Sequence, residues 1–221
     1  MAMPDIRLYA LVDADNLRPD ALPQLARQAA ENGATLIQYR DKSASTRQMV
    51  DRARAIRAAL AGTQVPLLIN DRLDVALAAG ADGIHIGRED LSPADARRIA
   101  GPDMIIGLTV KNQSDADLAA VADIDYACIG GVFATISKQN PDIPVGIDGF
   151  KTLATLIRAA QPGLPIGAIA GIDEATAPTI IAAGADGVAV ISAIFRTEDC
   201  GQATARLRSV IDTALDERQR S

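Results

Sequence analysis

From one end of this chain to the other, short β-branched and aliphatic runs alternate with longer Ala-rich stretches of helical period. Strands are predicted at 6–12, 35–40, 66–70, 83–86, 105–109, 126–130, 165–169 and 187–191. Helices are predicted between and after them, at 19–31, 46–60, 72–79, 93–100, 113–121, 150–160, 174–182 and 204–217. Strict strand–helix alternation builds a parallel sheet covered by helices. Eight such units is the count that closes the sheet on itself, whereas open doubly wound sheets usually stop at five or six strands. The expected fold class is therefore α/β, a single (β/α)8 TIM barrel over residues 1–221.

Composition agrees. Hydrophobic residues make up 48% of the 221 positions, aromatics only 3%, and Trp is absent. The core must then be assembled from Ala, Val, Ile and Leu, which suit strands buried on both faces. A weak internal repeat marks the units: Gly33-Ala34, Gly80-Ala81-Asp82-Gly83 and Gly184-Ala185-Asp186-Gly187 each end a helix and lead into a strand. Glycine suits the left-handed helix C-cap, so the repeat reads as structural. The one long irregular stretch, 131–149, leaves the predicted sixth strand and is expected to cover a substrate. The charged tail 216–221 is expected to fray.

Several function classes are excluded. The formal net charge is −6 with no basic stripe, which argues against nucleic acid, because phosphate neutralisation needs clustered Lys and Arg. An anionic ligand would need a local positive pocket working against the overall field. Cys128 and Cys200 lie far apart with no metal-type spacing, so neither a disulfide framework nor a zinc site is expected. No basic-then-apolar leader opens the chain and no apolar run reaches membrane-spanning length, so a soluble cytoplasmic protein is expected. Barrels often pair through their helices, and association of identical chains stays open.

In such a barrel, chemistry sits at the C-terminal ends of the strands. The second strand ends Gln38-Tyr39-Arg40-Asp41-Lys42, and alternation turns Gln38 and Arg40 inward with Lys42 just beyond. The third ends Asn70-Asp71-Arg72, where either Asn70 or Asp71 could simply cap the next helix. The fourth is followed by Gly87-Arg88-Glu89-Asp90. Asp71 and Asp90 fall on adjacent strand ends, a pair suited to share one Mg²⁺ with a diphosphate, since that ion takes few protein ligands and completes its shell with phosphate and water. Arg40, Lys42 and Arg72 beside them complete a diphosphate site. The sixth strand runs into Gly130-Gly131 and then Thr135-Ile136-Ser137-Lys138, supplying open backbone, hydroxyls and a point charge. After the seventh and eighth strands, Gly171 and Ser192 fit the usual phosphate site of the fold, although both are also ordinary turn and cap residues. His85, the sole histidine, reads as a packing residue and receives no catalytic role.

In this order the motifs resemble the thiamine phosphate synthase family. Gln-x-Arg-x-Lys at 38–42, Ile-Asn-Asp-Arg at 69–72, Gly-Ala-Asp-Gly-Ile-His-Ile-Gly-Arg-Glu-Asp-Leu at 80–91 and Gly-Ala-Asp-Gly-Val-Ala-Val-Ile-Ser-Ala-Ile at 184–194 carry the resemblance, which spans nearly the whole chain. It implies a Mg²⁺-dependent transferase joining a pyrimidine methyl diphosphate to a thiazole phosphate. It implies that Gln38, Arg40, Lys42, Asn70, Thr109 and Lys138 hold the pyrimidine diphosphate, with Arg40, Lys42 and Lys138 catalytic and Asp71 and Asp90 on the metal. Thiazole phosphate would contact Thr135, Ser137, Gly171, Ile191 and Ser192. Diphosphate would leave first, giving a pyrimidine methylene cation that the thiazole nitrogen captures. The chain departs from the family's pattern in three places. Thr109 stands for the usual serine after the fifth strand, Gly131 and Ala134 replace two prolines, and Ala170 replaces a glycine.

Three rival readings stand beside it. A thiazole tautomerase on the same barrel would use a histidine near the end of the fifth strand, where this chain has Lys111 and Asn112. A non-catalytic paralogue that only binds thiamine precursors would have little use for the Asp71–Asp90 pair. An aldolase or phosphosugar isomerase would want a strand-centred lysine or a glutamate base, and no strand-centred lysine is found.

Overall fold

The computed structural model describes residues 3–134 and 144–220. Strands β1 (Leu8–Asp13), β2 (Leu36–Arg40), β3 (Leu67–Asn70), β4 (Gly83–Ile86), β5 (Ile105–Val110), β6 (Tyr126–Ile129), β7 (Ile166–Ile169) and β8 (Gly187–Val190) form a closed parallel barrel in chain order. Closure runs through β1 and β8, with Leu8 opposite Val188 and Ala10 opposite Val190. Outside lie α1 (Leu22–Glu31), α2 (Thr46–Ala59), α3 (Leu73–Ala79), α4 (Pro93–Ala100), α5 (Gln113–Val121), α6 (Gly146–Ala160), α7 (Ala177–Ala182), α8 (Ser192–Phe195) and α9 (Cys200–Arg220). Among the described residues, no helix is long and apolar enough to cross a membrane.

The expected (β/α)8 architecture is therefore observed, with local differences. A short helix, α8, follows β8, and α6 begins at Gly146, inside the stretch expected to be irregular. The tail expected to fray from 216 is helical through Arg220. Its anchor is Arg218, which donates to the carbonyls of Ile181 and Ala185 and pairs with Asp186 at 3.1 Å.

Strand alternation divides the buried side chains into two layers. Leu8, Ala10, Val12, Ile37, Tyr39, Ile69 and Ile84 face outward to the helices. Tyr9, Leu11, Leu36, Leu68, Tyr126 and Cys128 fill the lumen. Gly107 makes room in that lumen: a Cβ there would lie 2.0 Å from the Tyr126 ring.

The base of the barrel explains the repeat. Before every second strand a polar side chain accepts the first free N–H of the strand preceding it. Thr35 takes Leu8 at 3.0 Å, Asp82 takes Leu67 at 2.8 Å, Asp125 takes Ile106 at 2.7 Å and Asp186 takes Ile166 at 2.9 Å. Each capping residue returns its own N–H to the carbonyl of the residue it caps. The aspartates of the Gly-Ala-Asp motif thus satisfy backbone groups that would otherwise be left unpaired where the strands begin. Gly80 supplies the left-handed C-cap of α3, with φ of 68°, that aims Asp82 at β3.

Candidate active site

The C-terminal ends of the strands surround a cavity of about 800 Å³. Gln38, Arg40, Lys42, Asn70, Asp71, Asp90 and Thr109 all line it. Period-two alternation and parallel pairing bring them there: Arg40 lies in register with Asp13, and Asn70 with His85.

On β2, Arg40 Nη1 is held by Asp13 at 2.9 Å and Asp15 at 2.7 Å. Asp13 is fully buried, so the guanidinium is fixed at the mouth by a carboxylate that cannot leave. The following turn is built on Asp41, which accepts the N–H groups of Ser43 and Ala44, the Tyr39 hydroxyl and Arg52. Burial alone would raise the Asp41 pKa, yet these hydrogen bonds hold it below the ordinary carboxylate value. The turn delivers Lys42, half-exposed, onto the Asp71 carboxylate.

Asp71 adopts the left-handed region, with φ of 63°, which is uncommon for a residue other than glycine. Its N–H donates to the His85 carbonyl at 2.8 Å, and its carboxylate also accepts Asn70 Nδ2 at 2.6 Å. Asp90 accepts the Gly87 N–H at 2.7 Å, which closes the turn after β4. Burial, opposed by that N–H and reinforced by the neighbouring Asp71 carboxylate, pushes Asp90 up to about 6. A carboxylate made hard to ionise by dryness and a like charge is a carboxylate that a cation would stabilise. Among the described residues no group of three or more His, Cys, Asp or Glu is placed to hold a metal ion.

Arg72 does not join this group. It pairs with Asp74 at 2.8 Å and donates to Thr46, on the outer side of the strand ends. The nearby carboxylate two residues on outcompetes the mouth. The cation found on that flank is instead Arg88, which bonds Asp115 at 2.9 Å and Asn112 at 3.0 Å along the cavity wall.

On the opposite wall, the start of the β6 loop is bound to its neighbours. Val132 and Phe133 donate to Ile169 and Ala170, while Val145 and Gly146 donate back to Gly131 and Val132. Gly131 and Ala170 line the cavity. Gly171, Ile191 and Ser192 do not line it: Gly171 packs under Ala134, where a Cβ would lie 2.5 Å from the carbonyl, and Ser192 opens α8. Ala170 carries φ of 92°, so an alanine sits in a conformation that suits glycine. Thr135, Ser137 and Lys138 lie outside the described residues.

Sequence reasoning missed the layer beneath the mouth. Asp13 and Asp15, which hold Arg40, and Tyr9 and Tyr126 beneath Gln38 were not picked out, and His85, read as a packing residue, is hydrogen-bonded to Tyr126 and Thr109. The signal for Tyr9 and Asp13 was present, since both share the inward period of β1.

The wider comparisons bear on this arrangement. The family model described as thiamine monophosphate synthase matches residues 8–194. A thiamine-phosphate synthase of Agrobacterium fabrum is 61% identical over 215 residues, covering 97% of this chain and 98% of that one. One from Chloroflexus aurantiacus is 40% identical over 213 residues, covering 96% and 95%. A solved thiamine phosphate pyrophosphorylase from Pyrococcus furiosus superposes with a TM-score of 0.83 at 34% identity, covering 96% of this chain and 98% of that one. Fold, mouth and similarity agree, and the chain belongs to the thiamine monophosphate synthase family.

Proposed function

We propose that this chain condenses 4-amino-2-methyl-5-(diphosphooxymethyl)pyrimidine with 4-methyl-5-(2-phosphooxyethyl)thiazole, giving thiamine phosphate and diphosphate. The observation that carries this reading is the convergence of cations, amides and two adjacent carboxylates on one cavity. Gln38, Arg40, Lys42 and Asn70 line one side, and the adjacent carboxylates Asp71 and Asp90 complete it. Family membership supplies the reaction class, a transferase of thiamine biosynthesis.

Arg40 and Lys42 are assigned to the diphosphate. Lys42 is paired with Asp71, so diphosphate binding would exchange one anion for another at the same ammonium. Asn70, tied to Asp71, would orient the leaving group, while Gln38 and Thr109 face the pyrimidine. Lys138 is assigned to the diphosphate from the loop side. Thr135, Ser137, Gly171, Ile191 and Ser192 are assigned to the thiazole phosphate on the resemblance alone, since Gly171, Ile191 and Ser192 do not border the cavity. Asp71 and Asp90 would hold Mg²⁺, which supplies charge neutralisation for the departing diphosphate when bound. The chain's own groups need move no proton: fixed cations stabilise the charge that grows on the leaving group. A cytoplasmic setting belongs to the same proposal, since both substrates are phosphorylated small molecules.

The test is product formation with both substrates and Mg²⁺, repeated with excess chelator. Thiamine phosphate that appears only with the ion supports the metal assignment. Undiminished product under chelation removes Mg²⁺ from Asp71 and Asp90.

A further inference from the structure

Two further cations border the cavity, Arg88 in the turn after β4 and Lys111 just past the end of β5. One buried carboxylate, Asp115, builds both into the same corner. It accepts Arg88 Nε at 2.9 Å, stands 2.8 Å from Arg88 Nη2 and accepts the Lys111 N–H at 2.9 Å. Asn112 Oδ1 accepts Arg88 Nη2 at 3.0 Å and the Asp115 N–H at 3.1 Å. The Lys111 stem runs beside Gly130, where a Cβ would lie 3.6 Å from Lys111 Cγ, an ordinary contact. Gly130 is not in the positive-φ region either, so neither its neighbours nor its backbone demand glycine. What the glycine leaves is open space on the cavity wall beside that stem.

The corner repeats the design at Arg40. There a buried carboxylate, Asp13, holds the guanidinium with Asp15 as second acceptor. Here Asp115 holds Arg88 with Asn112 as second acceptor. The Arg88 side chain is 58% exposed, and an exposed ion pair adds little stability. Fixing so long a side chain costs rotamer freedom, and the return is a guanidinium oriented before a ligand arrives. Arg88 Nη1 has no hydrogen-bond partner among the described residues, which leaves its two hydrogens for an incoming acceptor.

The balance of charge points the same way. Among the described residues bordering the cavity, the carboxylates Asp71, Glu89, Asp90 and Asp115 match Arg40, Lys42, Arg88 and Lys111 one for one. Arg40 already answers Asp13 and Asp15, and Lys42 answers Asp71. A diphosphate resting on those two cations alone would add negative charge where positive charge is already spent. In strand order Asp71 and Asp90 stand between Lys42 on the β2 side and Lys111 on the β5 side. Arg88 leaves the same turn as Asp90, the turn closed by the Gly87 N–H.

We infer that Arg88 and Lys111 form a second cationic arm for the pyrimidine's diphosphate, holding its oxygens from the β4–β5 side while Arg40 and Lys42 hold them from β2. This inference rests on the proposed pyrimidine diphosphate reading.

The test uses the full chain and inorganic diphosphate with Mg²⁺, followed by calorimetry, beside KM values for both substrates. Lys111→Met removes one charge but keeps the stem and the backbone N–H that serves Asp115. Arg88→Gln removes the other. Each should weaken diphosphate binding about tenfold and raise KM for the pyrimidine diphosphate by a similar factor, with KM for thiazole phosphate unchanged. Diphosphate affinities equal to wild type in both variants, or a KM rise confined to thiazole phosphate, would overturn the inference. If Arg88→Gln melts too low to assay because Asp115 loses a partner, Lys111→Met decides alone. Wild type that binds diphosphate but forms no thiamine phosphate would end the condensation reading and leave the calorimetric comparison intact. Wild type that binds no diphosphate would end both.

Discussion

The two ends of this barrel use the same residue types to opposite effect. At the base, carboxylates are satisfied. Asp186 accepts the Ile166 N–H and pairs with both Arg158 and Arg218, and Asp125 accepts the Ile106 N–H and pairs with Arg97. At the mouth, carboxylates compete. Asp71 is held in a left-handed turn against Lys42 and Asn70, Asp90 is driven up to about 6, and the amide oxygen of Gln38 has no partner. Charges with all their partners in place hold a fold together. Polar groups crowded against a like charge or left without a donor, on the same scaffold, are set up to receive a ligand.

The sharpest way to break this comparison is to delete a carboxylate at each end. Asp71→Asn, which keeps a residue suited to the left-handed turn, should lower turnover by about two to three orders of magnitude, with the unfolding midpoint near wild type. Steady-state kinetics beside thermal melts would check it, and near-normal turnover would dissolve the contrast. Asp186→Ala should do the reverse. It strands the Ile166 N–H and two guanidinium groups, costing about 2–4 kcal/mol of stability, while kcat per folded molecule stays unchanged. An equal loss of turnover would show that the base is not merely structural.

A smaller effect is set by pH. Asp90 titrates near 6 when folded and near 3.8 in an unstructured chain, chiefly through burial and then through Asp71. Between those values the folded state binds more protons than the unfolded one, so metal-free stability should fall as pH rises through that window. Asp90→Asn should flatten the slope in denaturant titrations run across it. Divalent-ion affinity should rise over the same window, as the carboxylate becomes free to ligate, and an affinity flat across it would remove Asp90 from the ion. The smallest expected effect is at the β7 end, where Ala170→Gly should stabilise the chain by about 1 kcal/mol by relieving the positive φ. Chemical denaturation would read it, and a loss of stability would mean that the alanine methyl packs usefully.

Much of the mouth was legible because it obeys one-dimensional rules. Period-two alternation was enough to place Gln38, Arg40 and Asn70 inward, and adjacent strand ends were enough to bring Asp71 near Asp90. What escaped depends on the third dimension. Asp13 reaches Arg40 only through the β1–β2 register, and Tyr9 meets Tyr126 only because the barrel closes. Arg72 was misplaced because Asp74 captures it locally. The aspartates of the Gly-Ala-Asp repeat were recognised as structural, but their hydrogen bonds go to the preceding strand, which no local pattern reveals. The tail was expected to fray because its sequence is charged, and Arg218 anchors it through carbonyls at the far end of α7.

The most direct test of the central claim is a single-turnover experiment. Excess protein with Mg²⁺ is mixed with the pyrimidine diphosphate, with and without thiazole phosphate, and diphosphate and thiamine phosphate are followed together. The account predicts equal amounts of both products when both substrates are present, and no thiamine phosphate without the thiazole. Absence of both products, or release of diphosphate with no thiamine phosphate in the complete mixture, would contradict it.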